Sequence, residues 1–390
     1  MSPPRRVVVT GIGTVNAATA GGARALAAAL AAGASAIAPI RSFDVGGCPS
    51  RLAAEVDEAV LAGLIDRDAA RRLSRICRLA VAASRRALDD GRLDPGGAEG
   101  AGRALGIVIG TEHGDFRSSE EFAAGFLRRG VAGLSPMIFP NTVMNAMGAH
   151  AAIALGARGP TVTVNQPTIA GDLAVARGAA LVAGGQAEAV VAGGVDELCA
   201  PVYRRLAELR ALSPMGRPTP EGCRPFAPDH NGPVLGEGAT FVLLEERSAA
   251  LARGATIHAE ILAARWSNVP VAPHTAPRAR RDPGSLVARL LGEASVPPGA
   301  VGAWYGSGNG DPGVDDWELS LLAADLAAAG HAGPAEAPRS LAPMFGQHGG
   351  LGALRVSAAA LGVAAAGGAA LVHGIARGGC RTAILLGRAA

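Results

Sequence analysis

The chain has 390 residues, 49% of them hydrophobic and 18% charged, with a net charge of only +3. That length suffices for two domains or one large duplicated fold, with a core that needs no disulfide or structural metal. The mild positive charge is carried by Arg alone, since no Lys occurs, and no stripe of interleaved aromatics marks a nucleic-acid surface.

Short β-branched runs alternate with Ala-rich helical stretches along the chain. Val7–Thr10 reads as a strand and Ala23–Ala32 as a helix, followed by strand Ile107–Ile109 and helix Met144–Leu155. Val162–Val164 is strand-like and leads through the turn Asn165–Gln166–Pro167 into helix Asp172–Ala183. Strands Ala189–Ala192 and Thr240–Leu244 come next. The remaining elements are helix Ser285–Gly292, strand Ala303–Tyr305, helix Asp316–Ala329 and strand Ala383–Leu386. Val356–Val372 is uncharged but built of small residues, so a buried core helix is expected there rather than a membrane span. Such alternation implies an α/β fold with largely buried, mixed or parallel sheets. The polar stretch Glu245–Gly254 is the most plausible seam, dividing the chain into halves 1–250 and 251–390.

Several function classes have little support. Gly11-Ile12-Gly13 follows a strand, but a third fingerprint glycine would fall at Asn16, and a P-loop needs a Lys. No His, Cys, Asp or Glu cluster has metal-ligand spacing. No bound cofactor is therefore expected. The five cysteines (Cys48, Cys77, Cys199, Cys223, Cys380) are odd in number and scattered, without a CxxC pair. With no secretory signature in Met1–Gly11, the expected setting is a reducing cytoplasm.

An ordered set of segments resembles the β-ketoacyl-acyl-carrier-protein synthases (ketosynthases) of the thiolase superfamily. It comprises Arg5–Gly13, Ser42–Val45 with Cys48–Val56, Phe139–Gly159, Ala189–Glu197, Cys223–Gly238 and Arg377–Leu386. The resemblance implies a thiolase-like duplicated fold of five α-β-α-β-α layers, usually paired into a dimer. In such enzymes a Cys at a helix N-terminus takes the acyl group, where the helix dipole and backbone N–H groups stabilise thiolate and oxyanion. Two histidines then serve decarboxylation of the malonyl donor.

All three catalytic positions depart from that pattern. Family spacing in Gly159–Gly171 puts Thr168 where Cys belongs, with Gln166 the alternative if the turn around Pro167 shifts. A Thr hydroxyl is a poor nucleophile unless a base activates it. The family's HGT turn resembles Ala303–Glu318, with Tyr305 at the first His position, a turn about two residues longer, and Asp315 with Glu318 as the closing acids. The last segment, Ser340–Gly352, has Gln347 in place of His and Ala342 in place of Lys, while His348 follows as a possible substitute. The C-terminal gating loop resembles Ala376–Arg381, with Arg377 for its Phe and Arg381 for its Asn. Each of these residues also has a plain structural role open to it, as helix cap or hydrogen-bonded filler.

No catalytic residue is therefore expected. Among ketosynthase-like chains this one most resembles the chain-length factor, a non-condensing subunit that pairs with an active ketosynthase and shapes its acyl tunnel. Phe116, Phe122 and Phe126 are the candidate tunnel and interface residues, though their spacing suits one face of an ordinary amphipathic helix as well. The resemblance implies an acyl carrier protein as second partner, delivering the chain on its phosphopantetheine. Two alternatives stand beside this: an acyl hydrolase or acyltransferase built on Thr168 and its neighbours, and a carrier-protein-binding scaffold.

Overall fold

The computed structural model describes residues 5–96, 105–272, 275, 285–331 and 337–389. Among these, nine strands longer than two residues carry the architecture: β1 (Val7–Asn16), β2 (Leu105–Thr111), β3 (Thr161–Asn165), β4 (Ala189–Asp196), β5 (Gly238–Glu246), β6 (Ala259–Asn268), β7 (Val301–Tyr305), β8 (Ala369–Ile375) and β9 (Cys380–Gly387). They join in one mixed sheet ordered β7-β8-β9-β6-β1-β5-β4-β2-β3, with the short strand Ala20–Gly21 beside β1. Between β1 and β6 the pairing covers only Val7–Val9 against Ala259–Ile261, so the sheet divides there into two halves.

The halves repeat one pattern. In the first, β2 runs parallel to β4, which is antiparallel to β5, which is antiparallel to β1. In the second, β7 runs parallel to β8, then β9 and β6 follow antiparallel. Even the extra parallel strand β3 beside β2 has a vestigial counterpart, the single parallel bridge from Tyr305 to Arg339.

Side-chain alternation along the strands explains the layering. Successive residues of a strand point to opposite faces, so a strand buried on both sides serves two cores. Ile107 and Ile109 pack with α2 (Arg75–Gly91) and α4 (Ala146–Leu155), whereas Val108 faces the central core. That central core holds α5 (Ala170–Ala183) and α9 (Leu351–Ala366), with Val190, Val242, Val372 and Ile384 reaching it from both halves. On the far side Leu371 and Leu385 meet α7 (Leu286–Glu293) and α8 (Pro312–Ala328). Three helical layers thus enclose two β layers, the expected α-β-α-β-α fold. For reference below, α1 is Ala23–Ala32, α3 Phe116–Arg129 and α6 Ala200–Glu208.

Most expected elements appear, lengthened by the hydrogen-bonded ladder. One is corrected. Val356–Val372 is not a single helix: α9 ends at Ala366, Gly367 and Gly368 adopt φ of 74° and 75°, and β8 begins at Ala369. Left-handed glycines end helices readily, and the small residues beyond suit a strand buried on both faces. No helix among the described residues is long and apolar enough to cross a membrane.

The central helices are tied by a buried ion pair, Arg355 Nη2 to Asp172 Oδ2 at 2.6 Å, with side chains 2% and 0% exposed. Removing one partner of such a pair leaves the other charge uncompensated. Arg355→Met should cost about 3–5 kcal/mol in urea unfolding. The double variant with Asp172→Asn should recover much of that loss, and equal losses would show that packing rather than charge dominates.

Candidate functional site

The site forms where the carboxyl ends of β2 and β4 meet the N-terminus of α5 and the loop before α9. Polar residues at such strand ends are the usual occupants of α/β clefts. Asp196 closes β4 and is buried; its carboxylate accepts hydrogen bonds from Thr111 Oγ1 (2.6 Å), the Glu112 and His113 N–H groups (both 3.1 Å) and the Gly349 N–H (2.7 Å). A Cβ on residue 349 would lie 2.6 Å from Asp196 Oδ2, so only glycine permits this approach. The clamp fixes the Thr111–Gly114 turn and aims the Glu112 side chain across the site.

Thr168 sits immediately before α5 and is buried, with φ of 62°. A β-branched residue there is a genuine conformational outlier. Its N–H donates to Glu112 Oε2 at 3.2 Å. Among the described residues no base is bonded to its hydroxyl. Gln166, the alternative, is half-buried in the preceding turn, where its N–H donates to the Thr111 carbonyl. The residue with the strained backbone at the helix start is Thr168.

Gln347 is buried, and its Oε1 accepts from Asn309 Nδ2 at 3.4 Å. Tyr305 is not part of this group. It ends β7 in the central core, its hydroxyl 4.0 Å from where a Cβ on Gly362 of α9 would stand. Strand alternation turns Tyr305 inward, and it is the following loop that presents Asn309 to Gln347. The closing acids hold that loop directly. Asp315 accepts from the Asn309 and Phe226 N–H groups, and Glu318 accepts from the Ser307 N–H and hydroxyl and pairs with His373 Nδ1. His348 lies on the same cavity wall as Gln347, its Nδ1 donating to the Gly346 carbonyl at 3.0 Å. Burial holds its pKa below the usual imidazole value, so it is neutral.

The cavity beside these groups, lined by Glu112, His113, Asp196, Cys199, Gln347 and His348 among others, encloses only about 10 Å³. One water is the most it could hold. Arg377 makes paired hydrogen bonds to Asp311 (2.7 and 2.6 Å), whose N–H donates to Asn309 Oδ1. Arg381 is elsewhere: it lies buried within β9, bonded to Asp325 of α8 at 2.9 Å. Charge burial is tolerated at both places because each guanidinium meets a carboxylate. Phe116 and Phe126 lie exposed on α3, and Phe122 packs against Phe139 with ring centroids 5.7 Å apart.

Sequence reading missed Glu112, Asp196, Asn309 and Asp311. The polar run Thr111-Glu112-His113 directly after a buried strand was the available signal. Two thiols lie close by: Cys199 lines the cavity, and Cys223 donates to the Asn309 carbonyl at 3.4 Å. Burial pushes the pKa of each up to about 12, so both are inert packing thiols.

Against this geometry the comparisons are clear. Residues 4–250 match the family described as Beta-ketoacyl synthase, N-terminal domain. The granaticin polyketide putative beta-ketoacyl synthase 1 of Streptomyces violaceoruber is 31% identical over 92% of this chain and 86% of its own length. The chain belongs to the β-ketoacyl synthase family. A 3-oxoacyl-[acyl-carrier-protein] synthase 2 of Synechocystis sp. is 34% identical over 66% of this chain, a match spanning 62% of that relative's length. The solved ishigamide ketosynthase/chain length factor superposes with a TM-score of 0.86 at 26% identity, covering 99% of this chain and 100% of the other. The fold is thus that of the thiolase-like ketosynthases, with relatives in both fatty-acid and polyketide synthesis.

Glu197, next to Asp196, gives this ketosynthase-like site a pH dependence. Burial, reinforced by the Asp115 charge, raises its pKa from 4.5 to about 8. The folded protein therefore binds a proton that the unfolded chain releases between those values, and stability falls as pH rises through that window. Asp315, raised to about 6, acts in the same sense at lower pH, while His348, lowered, acts oppositely below its ordinary 6.5. Denaturant unfolding between pH 6.5 and 8 should show declining stability, and Glu197→Gln should flatten the decline; an unchanged slope would remove Glu197 as its source.

Proposed function

We propose that this chain is a non-condensing, ketosynthase-like subunit of the chain-length-factor kind. It pairs in the cytoplasm with an active ketosynthase and walls the acyl tunnel at their contact, in type II polyketide, polyene or fatty-acid-like synthesis. An acyl carrier protein brings the growing chain on its phosphopantetheine, and the subunit needs no cofactor of its own.

The observation that carries this reading is the chemistry around α5. Condensation needs a thiolate to hold the acyl group and imidazoles to manage the malonyl carboxylate and enolate. Here Thr168 stands at the helix start, with Asn309 and Gln347 hydrogen-bonded to each other nearby. Two amides and an unactivated hydroxyl supply neither a nucleophile nor a proton relay near neutral pH. Thr168-based hydrolysis is disfavoured for the same reason, since Glu112 engages its backbone N–H.

The surface supports pairing. Leu127, Val131, Met137 and Phe139 are 83%, 77%, 85% and 57% exposed on and just after α3, and Ile153 of α4 is 80% exposed. Several large apolar side chains exposed on neighbouring elements are what an interaction face would present. They border β3, an edge strand with unpaired backbone on one side. A partner of the same fold would cover both. The likeness to a solved ketosynthase/chain length factor supports the same assignment.

Co-expressed with a Cys-containing ketosynthase, the chain should co-purify at equal stoichiometry and set product length. Phe122→Ala and Phe126→Ala should shift that length while leaving the complex assembled, as mass analysis of products would show. The purified chain alone, given an acyl primer and malonyl donor, should give no extension; extension would overturn the reading.

A further inference from the structure

The helix α5 begins with unsatisfied N–H groups and the positive end of its dipole, a place where an anion is favoured. In an acyl-carrying relative this is where a thioester carbonyl oxygen would develop charge. Here the chain supplies its own carboxyl group. Glu112 Oε2 accepts from the Thr168 N–H at 3.2 Å. Burial raises the pKa of this carboxyl, and the Gln347 amide, which lines the same cavity, opposes that rise only in part. Gln347 Nε2 is buried without a hydrogen-bond partner, in a residue only 5% exposed. It is a donor held ready beside the helix terminus.

We propose that Glu112 is an internal plug: its carboxyl group occupies the acceptor position at the Thr168 N–H, beside the unpartnered Gln347 amide, closing the site to substrate carboxylates and thioesters. The placement rests on the Asp196 clamp, which accepts from the Glu112 and His113 N–H groups and so fixes where the Glu112 side chain points. The proposal deepens the partner-subunit reading and rests on it, for it explains how this pocket stays out of the chemistry of the complex. Loss of a Cys alone would leave an open site able to capture malonyl groups unproductively. A tethered carboxylate competes at high effective concentration with any such ligand.

The experiment is titration calorimetry of the full-length chain with sodium malonate as probe. Glu112→Ala should bind malonate at one site at least about tenfold more tightly than the wild type, the gain expected when a competing closed state is removed. Glu112→Gln, which fills the same space and keeps an oxygen for the Thr168 N–H, should stay closed. Equal malonate binding by wild type and Glu112→Ala, or none by a Glu112→Ala variant of unchanged circular dichroism and Tm, overturns the proposal. If Glu112→Ala does not fold, amide spectra of ¹⁵N-threonine-labelled wild type and Glu112→Gln decide instead. The Thr168 resonance should shift when its acceptor changes from carboxyl to amide, and an unmoved resonance overturns the plug. Neither readout involves product formation, so failure here is distinct from an isolated chain that extends an acyl primer, which would sink the partner-subunit reading itself.

Discussion

A single carboxylate, that of Asp196, holds the site together. Four donors from separate segments converge on it: a hydroxyl and two amides from the turn after β2, and the Gly349 amide from the loop before α9. A buried carboxylate is expensive unless its lone pairs are filled, and here they are. The consequence is geometric: pinning Gly349 holds Gln347 two residues earlier near the site, and pinning the Glu112 backbone places its side chain within reach of the Thr168 N–H. The two halves of the fold meet at this point, since β4 belongs to the first and α9 to the second.

Around that hub many polar side chains are paired with one another. Asn309 and Gln347 bond to each other, Arg377 is held by Asp311, and Ser307 and His373 both engage Glu318. Such networks rigidify when their members are satisfied. A condensing site needs the reverse: a thiolate and imidazoles with free lone pairs or protons aimed into space that substrate can enter. The cavity of about 10 Å³ beside Glu112 and Gln347 is too small to admit an acyl group. The buried Cys223 thiol does not alter the picture, since a pKa near 12 keeps it protonated.

How far the sequence could be read follows the range of the interactions. The layering was legible because alternation in runs such as Val190–Val191–Ala192 is local, and the spacing from Gly159 to Gly171 singled out Thr168, where the backbone is strained near the start of α5. Arg381 was assigned to a loop although it lies within β9. Its meaning depends on Asp325, 56 residues away on another helix, which no short-range pattern reports. Tyr305 was misplaced by the ambiguity between strand end and loop start, where the side chain turns inward or outward with a single residue's shift. Glu112 escaped because its partner, Thr168, is likewise 56 residues distant and uses only its backbone.

The packing of helix against sheet explains why the backbone is strained at Thr168. A Thr at φ of 62° costs roughly 1–2 kcal/mol relative to a relaxed backbone, so something else must enforce it. Gly110 in β2 lies so close to α5 that a Cβ there would stand 2.2 Å from the Ala170 carbonyl oxygen. The start of α5 is thereby set against the sheet, and the short turn from β3 can reach it only through a left-handed residue. The elbow is a property of how helix and sheet pack, independent of what side chain sits on it. Side chains on the elbow can then vary while the helix terminus and its dipole remain, and in this chain the Glu112 carboxyl accepts the N–H of the residue at the elbow.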